Sequence, residues 1–197
     1  MKTLIPLTTN YVSIVKIDAP KLFLDKLRDD FSNCQFKFNV QNYVSEDIQI
    51  LKRHKELNAS FSLACHNYVK NIFNIDCERI KITKSWFNKS EKGQFHHWHR
   101  HFSSIVSGVF FLEDNPDNLN LTFKVANQLN LFAEYNQTVT LSNFISDNLK
   151  DHLIMFPSST YHSVSEIQSE LPRKTLSFDT WFDGTVSKGQ YGEIDFS

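Results

Sequence analysis

The stretch Ser85–Leu112, SWFNKSEKGQFHHWHRHFSSIVSGVFFL, carries the strongest signals for the fold and the chemistry of this chain. It holds four of the eight histidines in the sequence: His96, His97, His99 and His101. The pattern is strand-like, and residues i and i+2 of a strand project from the same face. Two imidazoles can therefore point at one position, from either His97 and His99 or His99 and His101. Because neutral histidine is the commonest metal ligand, the stretch predicts part of a metal site.

A third ligand must come from elsewhere in the chain, and His162 is the best candidate. It follows a short apolar strand, Leu153–Phe156, and a break at Pro157, after which extended structure resumes. Arg173 comes shortly afterwards, at the start of another predicted strand, RKTLSFDTW. The candidate residues are therefore ordered as a pair of histidines, a long gap, a third histidine and an arginine.

In this order the motifs resemble those of the Fe(II)/2-oxoglutarate-dependent oxygenases, and most of all a subgroup found in marine tailed phages and in bacteria. The subgroup reads roughly S-W-x-N, G, H-x-H-x-x-S-x-x-S-G-V-x-Y, F-P-S-x-x-x-H and R-x-S-x-S-F-N. The matching positions, which cover about half of the chain, are Ser85-Trp86-Phe87-Asn88, Gly93, His99-Arg100-His101, Ser104, Ser107-Gly108-Val109, Phe111, Phe156-Pro157-Ser158, His162 and Arg173-Lys174-Thr175-Leu176-Ser177-Phe178-Asp179.

The resemblance implies that His99, His101 and His162 bind Fe(II), since the distance from His99 to Ser107-Gly108 matches the subgroup pattern. The wider superfamily has an Asp or Glu where this chain has His101, so the predicted site carries one negative charge fewer. Three neutral ligands suit Zn(II) as well as Fe(II), and the sequence leaves the choice of metal open.

The register of the histidine strand has an alternative, in which His97 and His99 form the ligand pair. In the preferred register His97 shares the strand face of the ligands and borders the site. His96 and Trp98 are then expected to point the other way, unless a β-bulge interrupts the alternation.

Four further residues are expected to bind or surround the cosubstrate. The resemblance implies that Arg173 binds the distal carboxylate of 2-oxoglutarate, helped by the hydroxyl group of Thr175. An arginine suits this role because its planar guanidinium can pair with a carboxylate through two hydrogen bonds. Trp86 and Asn88 are expected to line the same pocket, again by resemblance.

The activity implied by the resemblance is that of a dioxygenase supported by Fe(II), 2-oxoglutarate and ascorbate. Such an enzyme releases succinate and CO2 and hydroxylates a substrate, here a small molecule or peptide that the sequence does not identify. The alternative is a non-catalytic metal-binding jelly roll, such as a phage structural or accessory protein. The pair Arg173 and Thr175 favours the enzyme, because a structural metal site does not need it.

We expect an α+β fold: a double-stranded β-helix, or jelly roll, with N-terminal helices packed on one sheet. The 197 residues contain no repeat and predict one domain. Within it we expect helical support over about residues 1–78, a jelly-roll core over about residues 79–183 and a C-terminal tail over residues 184–197.

Two helices are predicted before the histidine strand. The first, Lys21–Phe31, has Asp18 as its expected N-cap and Pro20 in its first turn. The second extends over about residues 50–75, where apolar residues recur at helical spacing. The segment between them, residues 33–50, is ambiguous.

The composition argues against several classes of partner. The formal net charge is −1, the pI is about 6.7 and no block of Lys or Arg occurs, so attraction to nucleic acid or anionic membranes is not indicated. The three cysteines form no CxxC motif, which suits a reducing compartment. The N-terminal stretch is too polar for a signal peptide, so we expect a cytoplasmic protein, in the host cytoplasm if it is phage-encoded. A homodimer is left open.

Overall fold

The computed structural model describes residues 11–125, 137–146 and 148–197. Within these ranges the chain forms two α-helices, α1 (Lys21–Asn33) and α2 (Lys55–Phe73), and short 3-10 helices at Ile50–Lys52, Pro116–Asn120 and Leu141–Asn143. The strands in chain order are β1 (Ser13–Lys16), β2 (Phe36–Asn39), β3 (Asn42–Ser45), β4 (Cys77–Ser90), β5 (His96–His99), β6 (Val106–Phe111), β7 (Leu121–Val125), β8 (Gln137–Thr140), β9 (His152–Pro157), β10 (His162–Val164), β11 (Arg173–Val186) and β12 (Ile194–Asp195).

These strands form two antiparallel sheets. The larger has the order β1-β9-β6-β11-β4-β3-β2, with β12 paired to β11, and the smaller has the order β5-β10-β7-β8. Apolar side chains of β6 and β9 pack against those of β7 and β10, so the two sheets face each other. Both helices pack against the larger sheet in a separate apolar layer. This arrangement is the jelly roll with helices on one sheet that the sequence predicts.

The central strands of the larger sheet are buried on both faces, which explains why they read as continuous apolar runs rather than as alternating ones. Along β6, Val109 and Phe111 pack in the layer between the sheets, whereas Phe110 packs in the layer beneath the helices. Along β9, Ile154 packs between the sheets and Met155 packs beneath the helices. Consecutive side chains of one strand therefore belong to two different cores.

The helices cover the outer face of the larger sheet. Helix α1 buries Leu24, Leu27 and Phe31. From helix α2, Phe61 packs against two aromatic rings of the sheet, with centroid distances of 5.1 Å to Phe110 and 5.6 Å to Phe178. Neither described helix is long and apolar enough to cross a membrane.

The helix ends differ from the predicted ones in two places. Helix α1 begins directly after Pro20, which occupies the N-cap position in an extended conformation, and no side chain caps the helix. The expected N-cap at Asp18 is therefore wrong, because Asp18 lies two residues too early. The second helix starts later than predicted, because Ile50–Lys52 forms a separate 3-10 turn.

The segment that the sequence leaves ambiguous adds a hairpin to one edge of the larger sheet. Residues 36–45 form the hairpin β2–β3, and β3 pairs with β4. Near the N-terminus, β1 pairs with β9 at the opposite edge. The sequence also predicts a loop over residues 126–144 with a strand at Thr138–Leu141; residues 126–136 lie outside the described residues, and β8 forms at Gln137–Thr140.

Gly108 permits close packing at the centre of the larger sheet. It lies opposite Phe178 in the pairing of β6 with β11. A Cβ atom built on Gly108 would lie 2.1 Å from Cζ of the Phe178 ring, far inside van der Waals contact. The absence of a side chain at Gly108 is therefore what allows Phe178 to lie across the strand and reach the helix layer.

We expect Gly108→Ala to lower the free energy of unfolding by about 1–3 kcal/mol, because the added methyl group overpacks a rigid core. Urea unfolding, followed by circular dichroism, measures this change. Gly192→Ala is the matched control, since a methyl group added there would meet no atom within 4 Å, and it should leave stability unchanged. Equal stability of the two variants would contradict the role assigned to Gly108.

Candidate metal site

Three histidines converge at one end of the space between the sheets. Ring nitrogens of His99, His101 and His162 lie within 4.8 Å of one another. His99 and His162 are directly opposite in the pairing of β5 with β10. His101 lies just beyond β5, where its backbone N–H donates to the carbonyl oxygen of Ser158 at 2.9 Å. The structure thus brings together the three residues that the sequence analysis selected as ligands.

The hydrogen bonds of these histidines determine which ring nitrogen is free. The Nδ1 atoms of His99 and His162 lie 2.8 Å and 3.0 Å from the backbone carbonyl oxygens of His97 and Thr160. The Nδ1 atom of His101 lies 2.7 Å from Oδ1 of Asp179. Carbonyl and carboxylate oxygens only accept, so each Nδ1 carries the proton and donates. Each neutral ring then presents the lone pair of its Nε2 atom, the arrangement common in histidine-bound metal sites.

Burial keeps the imidazoles of His99 and His162 neutral. Burial, together with the neighbouring histidines, lowers the pKa of His162 to about 3 and that of His99 to about 4. Metal coordination requires a neutral imidazole. The two side chains are therefore in the ligand form at neutral pH.

The structure reverses the expected positions of His96 and His97. The pairing of β5 with β10 contains a bulge, since two steps on β10, from His162 to Val164, correspond to three steps on β5, from His99 to His96. The extra residue turns His96 towards the site, where its ring stacks on that of His99 at 4.2 Å. The side chain of His97 is exposed instead. The prediction that His97 borders the site and His96 points away is therefore wrong.

His96 is a fourth imidazole in the cavity, although it does not belong to the converging triad. Burial, together with the nearby histidines and Arg173, lowers its pKa to about 2. It is thus a neutral group beside the site. Sequence alternation could not identify it, because the bulge breaks the period of two.

Arg173 lines the same cavity as the triad. Its side chain is deeply buried, with 4% of the residue exposed, and its Nε and Nη2 atoms have no hydrogen-bond partner among the described residues. The guanidinium lies over the ring of Phe111 at 5.2 Å. Burial, partly offset by Asp117, lowers its pKa to about 10, so the group remains charged at neutral pH. A buried cation with unpaired donors is costly unless an anion completes it.

Strand β11 supplies a row of polar side chains to this cavity. Arg173, Thr175 and Ser177 all line it, as expected for residues spaced by two along a strand. Strand β4 supplies Trp86 and Asn88 beside them, and Nδ2 of Asn88 donates to Oγ of Ser177 at 2.9 Å. The structure therefore places the expected pocket residues Trp86, Asn88, Arg173 and Thr175 around one cavity.

Two residues of this row were missed by the sequence analysis: Ser177 and Asp179. Both continue the period of two that begins at Arg173 and Thr175. Asp179 is 7% exposed, and its Oδ1 atom accepts from Oγ of Ser107 at 3.1 Å in addition to His101. Extending the alternation along β11 would have identified both residues.

The cavity is narrow. The open space within it is about 40 Å³, which is enough for one or two water molecules. A ligand of several carbon atoms therefore requires side chains that line the cavity to move. Trp86, whose ring lies parallel to His101 at 5.7 Å, is half-buried and belongs to this lining.

Comparison with protein families agrees with the motifs. Residues 84–179, about half of the chain, match the family described as "Putative 2OG-Fe(II) oxygenase". The matched span runs from the middle of β4 through the triad to Asp179. This match supports a 2-oxoglutarate-dependent oxygenase. No curated protein matches the chain significantly in sequence.

Solved structures show the same fold at low sequence identity. HygX from Streptomyces hygroscopicus, solved with nickel and 2-oxoglutarate bound, has a TM-score of 0.62 at 9% identity, covering 87% of this chain and 83% of HygX. AviO1 from Streptomyces viridochromogenes Tue57 has a TM-score of 0.61 at 11% identity, covering 88% and 90% of the two chains. A prolyl-4-hydroxylase from Pseudomonas putida has a TM-score of 0.55 at 14% identity, covering 88% and 92%.

The unpaired state of Arg173 predicts an unusual mutational effect. In the absence of ligands, Arg173→Met should leave the free energy of unfolding unchanged or raise it by about 1–3 kcal/mol, because an apolar side chain replaces a buried, unsatisfied cation. Chemical unfolding in a buffer without carboxylates or phosphate measures the difference.

Arg28→Met is the matched control for this prediction. Nε of Arg28 donates to the carbonyl oxygen of Leu112 at 2.8 Å, and its guanidinium also pairs with Asp151. Loss of these contacts should lower stability by about 1–3 kcal/mol. A loss of similar size in Arg173→Met would indicate that Arg173 has a structural role instead.

Proposed function

We propose that this chain is an Fe(II)- and 2-oxoglutarate-dependent dioxygenase that hydroxylates a C–H bond of a small molecule or peptide. One observation carries the proposal. A single cavity contains three imidazole lone pairs that converge and a buried guanidinium with two unpaired nitrogen atoms. A metal fits the first group and a carboxylate fits the second, and 2-oxoglutarate is a ligand that can engage both.

The donor set fits a divalent metal ion. His99, His101 and His162 offer three neutral nitrogen ligands and leave the other coordination positions to the cosubstrate and O2, as in non-haem iron oxygenases. The bound iron would supply the oxidative chemistry, in which 2-oxoglutarate and O2 are converted to succinate and CO2 while the substrate is oxidised. The same three nitrogens also suit Zn(II).

The polar row on β11 and β4 fits the cosubstrate. Arg173 would donate two hydrogen bonds to the distal carboxylate, and the Thr175 hydroxyl would add a third. The burial of Arg173 strengthens this pairing, because water does not compete for the same donors. Asn88 and Trp86 would confine the cosubstrate from the side of β4. HygX, which has nickel and 2-oxoglutarate bound in its crystal structure, supports this use of the fold.

The proposal also includes the subgroup, the cellular location and the reaction outcome. The motifs from Ser85-Trp86 to Arg173-x-Thr175 support membership of the subgroup found in marine tailed phages and bacteria, and a phage origin would place the enzyme in the host cytoplasm. The oxidation of a substrate C–H bond to an alcohol is the outcome that this chemistry most simply gives.

A succinate-release assay with Fe(II), 2-oxoglutarate and ascorbate tests the activity, and uncoupled turnover makes it informative without the substrate. His99→Ala should abolish succinate release, because it removes one of three ligands. His97→Ala is the matched control: its imidazole is exposed and does not line the cavity, although its ring centroid lies 5.5 Å from that of His99, and alanine keeps the backbone carbonyl that contacts Nδ1 of His99. This control should retain the activity of the parent protein.

Arg173→Ala should weaken 2-oxoglutarate binding about tenfold to a hundredfold while leaving metal affinity nearly intact, because it removes a charge-assisted pair of about 1.5–3 kcal/mol. Arg173→Lys should be intermediate, since lysine keeps the charge and loses the planar fork. The measurement is an anaerobic titration of the Fe(II) protein with 2-oxoglutarate, followed through the metal-to-ligand charge-transfer band.

The outcomes of these experiments distinguish a dioxygenase from a non-catalytic metal-binding protein. Tight metal binding without succinate release, together with equal 2-oxoglutarate affinity in Arg173→Ala and the parent protein, would favour a non-catalytic metal-binding jelly roll. Loss of cosubstrate binding in Arg173→Ala with retained metal binding supports the dioxygenase.

A further inference from the structure

The ligand set of this chain lacks the carboxylate that the wider superfamily places where His101 lies. A carboxylate nevertheless contacts His101, since Oδ1 of Asp179 lies 2.7 Å from Nδ1 of His101. We propose that Asp179 supplies, through His101, the negative charge that the missing carboxylate ligand would supply directly. Asp179 would thereby raise the affinity of the site for a divalent cation and the electron donation to it. The inference rests on the proposed metal-binding function.

The position of Asp179 suits this role. It comes from β11, whereas His101 follows β5 in the other sheet, so the pair joins the two sheets at the site. The side chains are largely enclosed, with 14% of His101 and 10% of Asp179 exposed. Little water separates the carboxylate from the imidazole, so the charge acts on the ring with little screening.

In the part of the chain that the structure describes, one of the three ligands has a carboxylate partner. His99 and His162 donate to backbone carbonyl oxygens, which carry no net charge. Among the described residues, the pair of His101 with Asp179 is the one ion-pair contact between the triad and a carboxylate. The negative charge is therefore delivered through the same residue that replaces the usual carboxylate ligand.

A chain of serine hydroxyls holds the carboxylate in place. Oγ of Ser107 donates to Oδ1 of Asp179 at 3.1 Å and lies 2.9 Å from Oγ of Ser158. Oγ of Ser158 lies in turn 2.7 Å from Oγ of Ser104. Ser104 also accepts from the backbone N–H of Thr180 at 3.1 Å, the residue next to Asp179. These three serines are the hydroxyl positions of the sequence motifs, and the proposal gives them a function in orienting Asp179.

Asp179 is a departure from the subgroup pattern, which has Asn at the end of R-x-S-x-S-F-N. An asparagine has the same shape and can accept the His101 proton donor through its amide oxygen, but it carries no charge. Asp179→Asn therefore isolates the charge from the geometry. Because that residue is the one in the motif, the substitution is compatible with the fold.

The first experiment measures binding of Co(II) alone to the metal-free protein by isothermal titration calorimetry. Asp179→Asn should weaken Co(II) binding about tenfold to a hundredfold, the usual range for mutating a residue that hydrogen-bonds to a metal ligand. Asp183→Asn is the matched control, because Asp183 lies on the same strand and pairs only with the exposed Arg79 and Lys81. The control should bind Co(II) as tightly as the parent protein.

The second readout is spectroscopic and would not respond to a purely structural role. In the anaerobic Fe(II) complex with 2-oxoglutarate, the charge-transfer band should move to shorter wavelength in Asp179→Asn. The reason is that a ligand set with less negative charge makes the metal harder to oxidise. Asp183→Asn should leave the band where it is.

A rescue experiment moves the charge back into the ligand set. In the Asp179→Asn background, His101→Asp creates the His-x-Asp pattern of the wider superfamily, and Co(II) affinity should return to within about threefold of the parent value if charge is what the site requires.

The outcomes distinguish this inference from the proposed function. If the parent protein binds no Co(II), the metal site itself fails. If the parent protein binds Co(II) and Asp179→Asn binds it equally well with an unshifted charge-transfer band, the site stands and the role of Asp179 is overturned. A weakened Asp179→Asn that His101→Asp does not improve would likewise show that the charge is not the cause.

Discussion

The pairing of β11 with β4 on one side and β6 on the other is the constraint on which the rest of the structure depends. It fixes the direction of every side chain from Arg173 to Asp179, since alternate residues of a strand face opposite sides. One set faces the cavity and includes Arg173, Thr175 and Ser177, while Leu176 and Phe178 face the helices. The smaller sheet then needs only to place His99 and His162 opposite this row.

Much of the site could be predicted because its residues follow regular strand geometry. The triad and the pair Arg173 and Thr175 were identified from spacing and from motif order. His96 and His97 were exchanged because a bulge is a property of how β5 pairs with β10, and that pairing is not encoded within β5 alone. The contact of Asp179 with His101 could not be predicted for a related reason, since it joins segments far apart in the chain, although the alternation along β11 points to Asp179 itself.

The fold could be predicted at the level of layers, and one edge of the larger sheet could not. Continuous apolar runs such as those of β6 and β9 indicate strands buried on both faces, and the helical spacing before them indicates a covering layer. The strands of the hairpin β2–β3 are short and have mixed burial, so their sequences carry no clear period. Their structure comes from pairing with β4, which local sequence does not specify.

The two faces of β11 have a consequence for how this protein can change over evolutionary time. A slip of one residue along β11 would turn Arg173 towards the helices and direct Phe178 into the cavity. The same error would thus disrupt the core and disassemble the site. Selection for folding and selection for activity therefore act on one strand register, while each face remains free to vary by itself. Substitutions can alter which ligands the cavity accepts without changing the helix layer, provided that the register of β11 stays the same.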